Sequence, residues 1–536
     1  MSYQWSYGDI LEAVEKITPE DQPALIHGDR VINWGDFARR TSNLARNLLA
    51  SGVQPGEKIA FYMRNCPEYS EGIAAGFKAG LTHVNVNYRY IEHELVYLID
   101  NSDATVVIYQ SEFQHYVDEI KHQLPNVKHW LVVDDGKASS YEDMANSGAG
   151  SAPGIKHSAD DMLFLYTGGT TGMPKGVMWR HDDLFQVIGA GGNARLGTPP
   201  CKDLEELLER LKANPRTVNL PLPPIMHGTG LLSAVGAMAA GGTCVTLTSR
   251  SFEPELALEN ITKHKVTQVT IVGDAFARPM LEVLDEHPGK YDISSVAVIN
   301  SSGVMWTREI KAGLLKHNEN LLLSDAFSSS EAIGLGASLM TKDQTIDVAK
   351  FALGPSCKVF SEDLKEVKPG TGESGMIAVK GFLPLGYYKD QEKTDKTFKV
   401  IDGIRYSIPG DWVRVEDDGS LTLLGRGSNC INTAGEKVYP EEVEEALKFH
   451  DAVADALVVG VRDEKWGQSI TAVVQPNEGC VIDELELREF SRKHLAAYKL
   501  PKRILVKDNL NRAANGKADY KSIQEYAELQ LGISQT

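Results

Sequence analysis

Short apolar runs alternate with amphipathic stretches along much of the chain. The runs lie at residues 57–63, 104–110, 129–135, 268–273 and 295–302. Before the first run, the apolar residues of 33–52 recur near helical spacing, and Gly52 is suited to end that helix. Because strands buried on both faces and alternating with helices are typical of parallel sheets, the pattern predicts an α/β fold of stacked, mostly parallel sheets flanked by helices.

One long stretch carries no charge. Residues 217–249 contain no Asp, Glu, Lys or Arg, which is long enough to span a bilayer. Several turn-forming or polar residues interrupt it, namely Pro221, Pro223, Pro224, His227, Gly241 and Gly242. The stretch therefore predicts a buried strand, a loop, a helix and a second strand.

The pattern changes after about Gly425. Short strands and charged helical stretches follow, at 440–449, 454–461, 469–476 and 484–496. We therefore predict an N-terminal domain of residues 1–427 and a small α+β C-terminal domain of residues 428–536, joined at the GRGSN junction.

Composition narrows the classes of function. The 536 residues exceed the size of one core, and 42% hydrophobic with 24% charged residues is typical of soluble globular proteins. A net charge of −18 disfavours nucleic acid and anionic membrane surfaces as partners. Six dispersed cysteines without a CxxC pair disfavour a disulfide scaffold and a zinc site. The polar, acidic start is unlike a secretory signal, so we expect a cytoplasmic protein.

The most informative motif lies at 162–176. An apolar strand, 162–166, runs into a glycine- and threonine-rich turn, 167–172, followed by Pro174 and Lys175. Glycines let backbone N–H groups converge on an anion, and the hydroxyls and the lysine add donors and charge. A Walker loop is disfavoured because Gly176, rather than Ser or Thr, follows Lys175. A simple strand-to-helix connection is the alternative.

The string LFLYTGGTTGMPKGVMW, residues 163–179, resembles the phosphate loop of the adenylate-forming superfamily, which includes acyl-CoA synthetases, luciferase-like enzymes and peptide-synthetase adenylation domains. Further motifs follow in the order of that superfamily, at 223–228, 300–303, 325–331, 372–373, 386–394, 409–411, 425–444 and 515–517. The resemblance covers nearly the whole chain. It implies a large N-terminal domain with a small β-barrel-like part and a small, mobile C-terminal domain.

The resemblance implies a site for ATP and AMP. Its residues would be Thr167, Gly168, Gly169, Thr170, Thr171, Gly172, Lys175, Ser302, Gly303, Asp325, Ala326, Phe327, Ser330, Asp411 and Arg426. Within it, Phe327 would stack on adenine and Asp411 would accept the ribose hydroxyls. Glu331, with Thr170, would hold Mg²⁺; the alternative for Glu331 is a solvated carboxylate at a helix start.

Three further roles are implied by resemblance. Lys517 would approach the acyl carboxylate and the α-phosphate, where its charge stabilises the transition state; otherwise it is a surface lysine. His227 would border the acyl pocket as a gate, against the alternative of a buried core histidine. Ala434 and Gly435 would lie near the pantetheine of coenzyme A, with the junction as a hinge for a rotating small domain.

The chain departs from the superfamily pattern at five positions. Phe327-Ser328 replaces a tyrosine-glycine pair, and Ser330 replaces a threonine but keeps the hydroxyl. Ser428 stands at the hinge position, commonly Asp or Lys, so a charge-based latch is not expected. Asn432 stands where plant-type ligases often have lysine.

The residues of these motifs are most similar to those of bacterial synthetases for long-chain, branched or sterol side-chain acids. The candidate acyl pocket is uncharged, with residues Met226, Gly230, Leu231, Ala234, Val304 and Met305. An apolar pocket favours an apolar acid over an amino acid. We therefore predict an AMP-forming acid–CoA ligase that uses ATP, Mg²⁺ and coenzyme A as co-substrate, with a homodimer left open. The alternatives are an aryl-acid ligase, a carrier-protein-loading enzyme, a luciferase-like oxygenase and a non-enzymatic nucleotide-binding protein.

Overall fold

The computed structural model describes residues 3–134, 137–169, 172–193, 197–303, 306–343, 350–433, 436–463, 467–495, 497–513 and 516–533. The chain forms two compact units, one of Met1–Val348 with Lys380–Ser407 and one of Ala349–Val379 with Ile408–Thr536. The domain boundary expected after residue 427 stays a prediction.

Helices and strands are numbered along the chain. The helices of the first unit are α1 (Tyr7–Glu15), α2 (Trp34–Ala50), α3 (Pro67–Lys78), α4 (Glu92–Asn101), α5 (Gln114–Ile120), α6 (Ser140–Asn146), α7 (His181–Val187), α8 (Leu204–Ala213), α9 (Gly228–Ala239), α10 (Pro254–His264), α11 (Asp274–Glu286), α12 (Arg308–His317) and α13 (Gln391–Thr397). Those of the second unit are α14 (Pro440–Lys448), α15 (Glu484–Ser491) and α16 (Tyr520–Gln530).

The strands up to residue 340 are β1 (Pro23–His27), β2 (Arg30–Asn33), β3 (Lys58–Tyr62), β4 (Thr82–Asn85), β5 (Ala104–Gln110), β6 (His129–Val133), β7 (Met162–Gly169), β8 (Gly172–Arg180), β9 (Val218–Pro221), β10 (Thr243–Thr246), β11 (Gln268–Ile271), β12 (Val298–Ser302), β13 (Leu322–Ser329) and β14 (Ala332–Met340). The later ones are β15 (Lys350–Leu353), β16 (Cys357–Phe360), β17 (Ser374–Lys380), β18 (Gly386–Tyr387), β19 (Phe398–Ile401), β20 (Ile404–Ser407), β21 (Asp411–Val415), β22 (Ser420–Arg426), β23 (Ile431–Thr433), β24 (Glu436–Val438), β25 (Val453–Asp463), β26 (Gly467–Pro476) and β27 (Arg503–Val506).

Two mostly parallel sheets build the first unit. One has the order β18-β8-β7-β4-β3-β5-β6, parallel from β7 to β6 and antiparallel at β8 and β18. The other runs β14-β13-β12-β11-β9-β10-β1-β2 and is parallel from β13 to β1. The predicted fold class is confirmed, because the β-branched runs of the sequence became parallel strands joined through helices.

Helices α3 and α9 lie in the apolar core between the two sheets. Every residue of α3 is buried, and its side chains share one core cluster with α9 and with strands of both sheets. A second core packs α10, α11 and α12 on one sheet, and a third packs α4 and α5 on the other. The uncharged stretch forms β9, a loop, α9 and β10 as predicted. Within the described ranges, no helix combines the length and apolar character that crossing a bilayer requires.

A buried network of charges joins α2, α3 and α6. The Arg40 guanidinium donates to both carboxylate oxygens of Glu71, at 2.6 and 2.9 Å, and to Glu142 at 2.8 Å. Tyr141 donates to the same Glu71 carboxylate at 3.0 Å. Burial raises the pKa of Glu71, although Arg40 opposes this shift by favouring the charged form. Each charge in this layer is therefore tolerated only because its partners are in place.

Two histidines of the first unit are buried against aromatic rings. His83 stacks on Phe61 with 5.1 Å between ring centroids, and His181 lies edge-on to Phe77 at 4.7 Å. Burial lowers the pKa of both imidazoles from 6.5 to about 3.

We expect the stability of the fold to decrease as the pH falls from about 6.5 towards 3, because the unfolded chain binds protons there and the folded chain does not. Thermal unfolding midpoints measured across this range would show a smaller pH slope in His83→Gln than in the wild type. Replacing the exposed His115 by glutamine is the control and should leave the slope unchanged. Equal slopes in all three proteins would contradict the prediction.

The second unit is built from antiparallel strands and a helix-covered sheet. β16, β17, β21, β22 and β15 pair antiparallel in that order. A second sheet runs β24-β23-β26-β25, with β27 parallel to β26. Side chains of α14 pack on one face of β25, and side chains of α16 pack on the other. The strands predicted at 454–461 and 469–476 are confirmed as β25 and β26.

Candidate active site

The predicted phosphate turn lies at the tip of a β-hairpin. β7 and β8 pair antiparallel, with Thr167 opposite Lys175 and Gly169 opposite Gly172. The alternative of a strand-to-helix connection is wrong, because the chain continues as β8 and α7 begins only at His181. Gly168 lies in β7, whereas Thr170 and Thr171, the centre of the predicted cradle and a predicted metal contact, lie outside the described residues.

A steric constraint explains why Gly176 follows Lys175. A Cβ atom on Gly176 would lie 2.6 Å from the Tyr166 ring, which sits across the hairpin from it. Because real Cβ atoms do not approach so closely, Ser or Thr, which a Walker loop carries here, does not fit. The hairpin thus excludes the Walker sequence.

Asn85, at the end of β4, joins the hairpin to the motif at 223–228. Its side-chain amide donates to the carbonyls of Tyr166 at 2.9 Å and Met226 at 2.6 Å, and its oxygen accepts from the Tyr166 N–H at 2.7 Å. The residue is buried, so these bonds satisfy an amide that would otherwise be costly to bury. Asn85 therefore sets the position of the segment that precedes His227.

The residues predicted around adenine meet at the carboxyl ends of two parallel strands. Ser302 ends β12 and is opposite Ala326 in β13, and Gly303 has a φ of +100°. Ligands of open α/β sheets bind at such strand ends. Phe327 follows in β13 and is 9% exposed. The neighbouring Asp325 is buried with Lys311, 3.2 Å away.

Glu331 lies in the turn between β13 and β14, close to the hairpin. The Trp179 indole of β8 donates to the Ser330 carbonyl at 2.9 Å, and the Ser407 hydroxyl donates to the Glu331 carbonyl at 2.7 Å. The Tyr387 hydroxyl donates to Glu331 Oε1 at 2.6 Å. The structure therefore brings the predicted metal carboxylate next to the strand that carries Lys175.

Lys175 pairs with an acidic residue far along the chain. Its ammonium contacts Asp390 Oδ2, and Asp390 Oδ1 accepts from the Lys393 N–H at 2.9 Å, at the start of α13. The bond from Lys175 lowers the pKa of Asp390. Lys175 thus has a carboxylate partner that is fixed at the start of α13.

Glu331 fits a magnesium ion that arrives with a nucleotide. Mg²⁺ is usually held by one or two carboxylates, substrate phosphates and waters rather than by a cage of side chains. Within the described part of the chain, no donor contacts Glu331 Oε2, so one oxygen is open for a cation. The same part contains no group of three His, Cys, Asp or Glu side chains placed to hold an ion together.

His227 and most of the predicted acyl-pocket residues surround the start of α9. His227 occupies the N-cap position and is half-buried, and its carbonyl accepts from the Leu231 N–H at 2.9 Å. A side chain at Gly230 would collide with the Pro224 carbonyl, so this glycine lets α9 approach the turn. Met226, Leu231 and Ala234 are fully buried, whereas Val304 and Met305 lie outside the described residues.

In the second unit, Asp411 and Arg426 are neighbours across a strand pair. They stand opposite each other in β21 and β22, and Asp411 is 7% exposed. The Arg426 side chain lies outside the described part of the chain. Next to it, a Cβ atom on Gly427 would lie 2.6 Å from the Trp412 indole nitrogen, which explains the glycine in the GRG string.

Lys517 is exposed on a braced loop before α16. Its carbonyl accepts from the Ala513 N–H at 2.9 Å, and Arg512 donates to the Gly516 carbonyl at 3.2 Å. Arg512 also forms a bidentate ion pair with Asp455, in which its guanidinium donates to the two carboxylate oxygens at 2.6 and 2.9 Å. The backbone of the loop is therefore fixed by a turn hydrogen bond and by Arg512.

The predicted coenzyme A segment falls on the β23–β24 hairpin. Asn432 is paired with Lys437 across it. Ala434 and Gly435 lie outside the described residues, and the Ser428 side chain does too.

Sequence reasoning missed three residues of this site. Asn85 could have been noticed as an amide at the end of an apolar strand. Tyr387 and Asp390 belong to a motif that was recognised, GYYKDQEKT, but no local signal connects them with Glu331 and Lys175. Their contacts depend on pairing of β18 with β8, which is a long-range feature.

Two parallel sheets with a glycine–threonine hairpin beside an acidic turn define the chain as an enzyme of the adenylate-forming type. It belongs to the AMP-binding enzyme family: that family's model matches residues 11–388, and the model of the family's C-terminal domain matches residues 442–517. The resemblance drawn from the sequence is thereby confirmed.

Curated relatives match over nearly the whole chain. A medium/long-chain-fatty-acid–CoA/3-oxocholest-4-en-26-oate–CoA ligase of Mycolicibacterium smegmatis is 40% identical over 520 residues, 95% of this chain and 94% of that protein. A 3-oxocholest-4-en-26-oate–CoA ligase of Rhodococcus rhodochrous is 39% identical over 538 residues, 98% and 96% of the two chains. Among solved structures, an anthranilate CoA ligase in complex with anthranoyl-AMP shares the fold, with a TM-score of 0.85, 20% identity and 99% coverage of both chains.

Proposed function

We propose that this protein is an ATP-dependent carboxylic acid–CoA ligase that forms AMP and pyrophosphate. The observation that carries the proposal is the identity of about 40% to acyl-CoA ligases over nearly the full length of both chains. The position of Glu331 beside β8, the strand that carries Lys175, supports it, because a triphosphate needs cationic donors and a metal-binding carboxylate around it.

The acid is an apolar one, with a fatty, branched, isoprenoid or sterol side chain. The relatives named above act on fatty acids and on a sterol side-chain acid. The described pocket residues Met226, Leu231 and Ala234 are uncharged and buried, and they offer no carboxylate to an amino acid's ammonium group. These two observations agree on the substrate class.

In the first half-reaction the substrate carboxylate attacks the α-phosphorus of ATP, and pyrophosphate leaves. Thr167 and Lys175 of the hairpin bind the phosphates, while Ser302, Gly303, Ala326 and Phe327 hold adenine. A magnesium ion bound at Glu331 would neutralise phosphate charge. Asp411 accepts the ribose hydroxyls with Arg426 beside it, and Lys517 stabilises the charge that develops between carboxylate and phosphate.

In the second half-reaction the coenzyme A thiol attacks the acyl carbonyl, and AMP leaves. The segment around Ala434 and Gly435 lies along the pantetheine, and His227 gates the acyl pocket between the two steps. We place the hinge at the GRGSN junction, where Ser428 offers no charge for a latch. A cytoplasmic location stays a prediction, and the homodimer stays open.

The test is a coenzyme A-dependent assay over a panel of acids, with acyl-CoA, AMP and pyrophosphate all measured. We expect stoichiometric acyl-CoA, AMP and pyrophosphate with a long-chain or sterol side-chain acid, and little with amino acids. Activity confined to aryl acids would overturn the acid class. Adenylation without acyl-CoA from any acid would overturn the ligase and favour a carrier-protein-loading enzyme.

A further inference from the structure

The segment Gly386–Asp390 lies along the phosphate-loop hairpin. Gly386 and Tyr387 pair with Met178 and Val177 of β8, and the Tyr388 N–H donates to the Gly176 carbonyl at 2.8 Å. At its end, the Asp390 carboxylate contacts Lys175. The segment is thus fixed to β8 by backbone bonds at one end and by an ion pair at the other.

The Tyr387 side chain leaves this segment in a fixed direction. The residue is 5% exposed, its N–H donates to the Thr394 hydroxyl at 2.9 Å, and its ring lies 6.2 Å from that of Phe398. The ring carries its hydroxyl to Glu331 Oε1, 2.6 Å away. A buried residue that is bonded at its backbone N–H and at its ring hydroxyl has little freedom, so it holds one oxygen of the carboxylate in place.

Glu331 is therefore tied to the hairpin from two sides. At the backbone, the Trp179 indole of β8 donates to the carbonyl of Ser330, the residue before Glu331. On its side-chain side, Tyr387 binds Oε1 and leaves Oε2 without a donor among the described residues. Groups that orient a ligating carboxylate commonly change metal affinity by 10- to 100-fold when they are removed.

We propose that Tyr387 is a positioning residue of the nucleotide site, which holds the Glu331 carboxylate at a set place relative to the phosphate-loop hairpin so that Oε2 receives the metal of a metal–nucleotide complex. The identity of the nucleotide in this inference rests on the proposed function. The hydrogen bond between Tyr387 and Glu331 does not depend on it. Tyr387 acts through Glu331 and need not touch the substrate.

The experiment compares Tyr387→Phe with Tyr388→Phe in the full chain. Tyr388 is the matched control, because its hydroxyl donates to Asp103 at 2.6 Å rather than to Glu331. Binding of ATP is measured by calorimetry with Mg²⁺ and with EDTA, and Mn²⁺ binding in the presence of ATP by electron paramagnetic resonance. We expect Tyr387→Phe to weaken metal-dependent binding by about tenfold or more and metal-free binding by less than twofold, with Tyr388→Phe like the wild type.

Acid-dependent ATP–pyrophosphate exchange, titrated with Mg²⁺, gives the kinetic readout. In Tyr387→Phe the half-saturating Mg²⁺ concentration should rise while the rate at saturating Mg²⁺ largely recovers. In a Glu331→Gln background the further change of Tyr387 to Phe should have no added effect on metal binding, since the two act as one unit. This cycle and the ratio of metal-bound to metal-free affinity remain informative if Tyr387→Phe is less stable.

Unchanged metal dependence in Tyr387→Phe, or equal losses with and without metal, would overturn the proposal. If no acid supports exchange while the metal-dependent binding difference persists, the proposed ligase function fails and the positioning role stands. If exchange is robust and the binding difference is missing, the reverse holds.

Discussion

Replacing Lys517 by alanine is expected to lower the rate of acid-dependent pyrophosphate release on the order of 100- to 1,000-fold, the usual effect of removing a group that stabilises developing charge. Formation of acyl-CoA from supplied acyl-AMP should stay near the wild-type rate, because that step has no pentavalent phosphorus to stabilise. Both rates are measured in single-turnover experiments with each half-reaction isolated.

The substitution leaves the described hydrogen bonds of the loop backbone in place. Its turn is held by the Lys517 carbonyl and by Arg512, which the alanine variant retains. Lys521→Ala, at an exposed lysine at the start of α16, is the control and should leave both rates unchanged. Intact pyrophosphate release in Lys517→Ala would show that the role assigned to this lysine is wrong.

Replacing Arg40 by methionine is expected to destabilise the first unit by about 3–5 kcal/mol. The change leaves Glu71, which is fully buried, without the guanidinium that neutralises it, and leaves Glu142 with less compensation. Glu71 must then become protonated or stay as an unpaired buried charge, and both cost free energy. Urea unfolding followed by tryptophan fluorescence measures the loss.

Arg39→Met is the matched control at the adjacent position. Arg39 is exposed and pairs with the exposed Asp36 at 3.0 Å, so its loss should cost no more than about 1 kcal/mol. If the two variants are equally stable, the buried network adds nothing beyond what an apolar side chain would supply.

The elements of the fold were predictable because local pattern and final structure agree. The run 104–110 is β5, and the helical spacing in 33–52 became α2. Strand order was not predictable in the same way. The pairing of β18 with β8 joins residues more than two hundred positions apart, and no periodicity in either segment encodes the partner.

In the candidate site, too, features encoded in a local motif were predictable and long-range contacts were not. The turn at 167–172, the segments around Ser302 and Phe327, and Glu331 were located by motif, because each belongs to a short continuous string. The contact between Lys175 and Asp390 spans 215 positions, and it was missed because an aspartate before a helix already has an explanation as a cap. Asn85 was missed for a similar reason, since nothing local shows that its amide bonds two distant carbonyls.

The connectivity of the two compact units constrains how related ligases can be recombined. The polypeptide changes unit after residues 348, 379 and 407, so β17 and β21 are neighbours in one sheet although the stretch between them belongs to the other unit. A hybrid gene with a single crossover near 408 would pair a β17 from one parent with a β21 from the other. The β17–β21 pair stays parental when 349–379 is exchanged together with everything after 407.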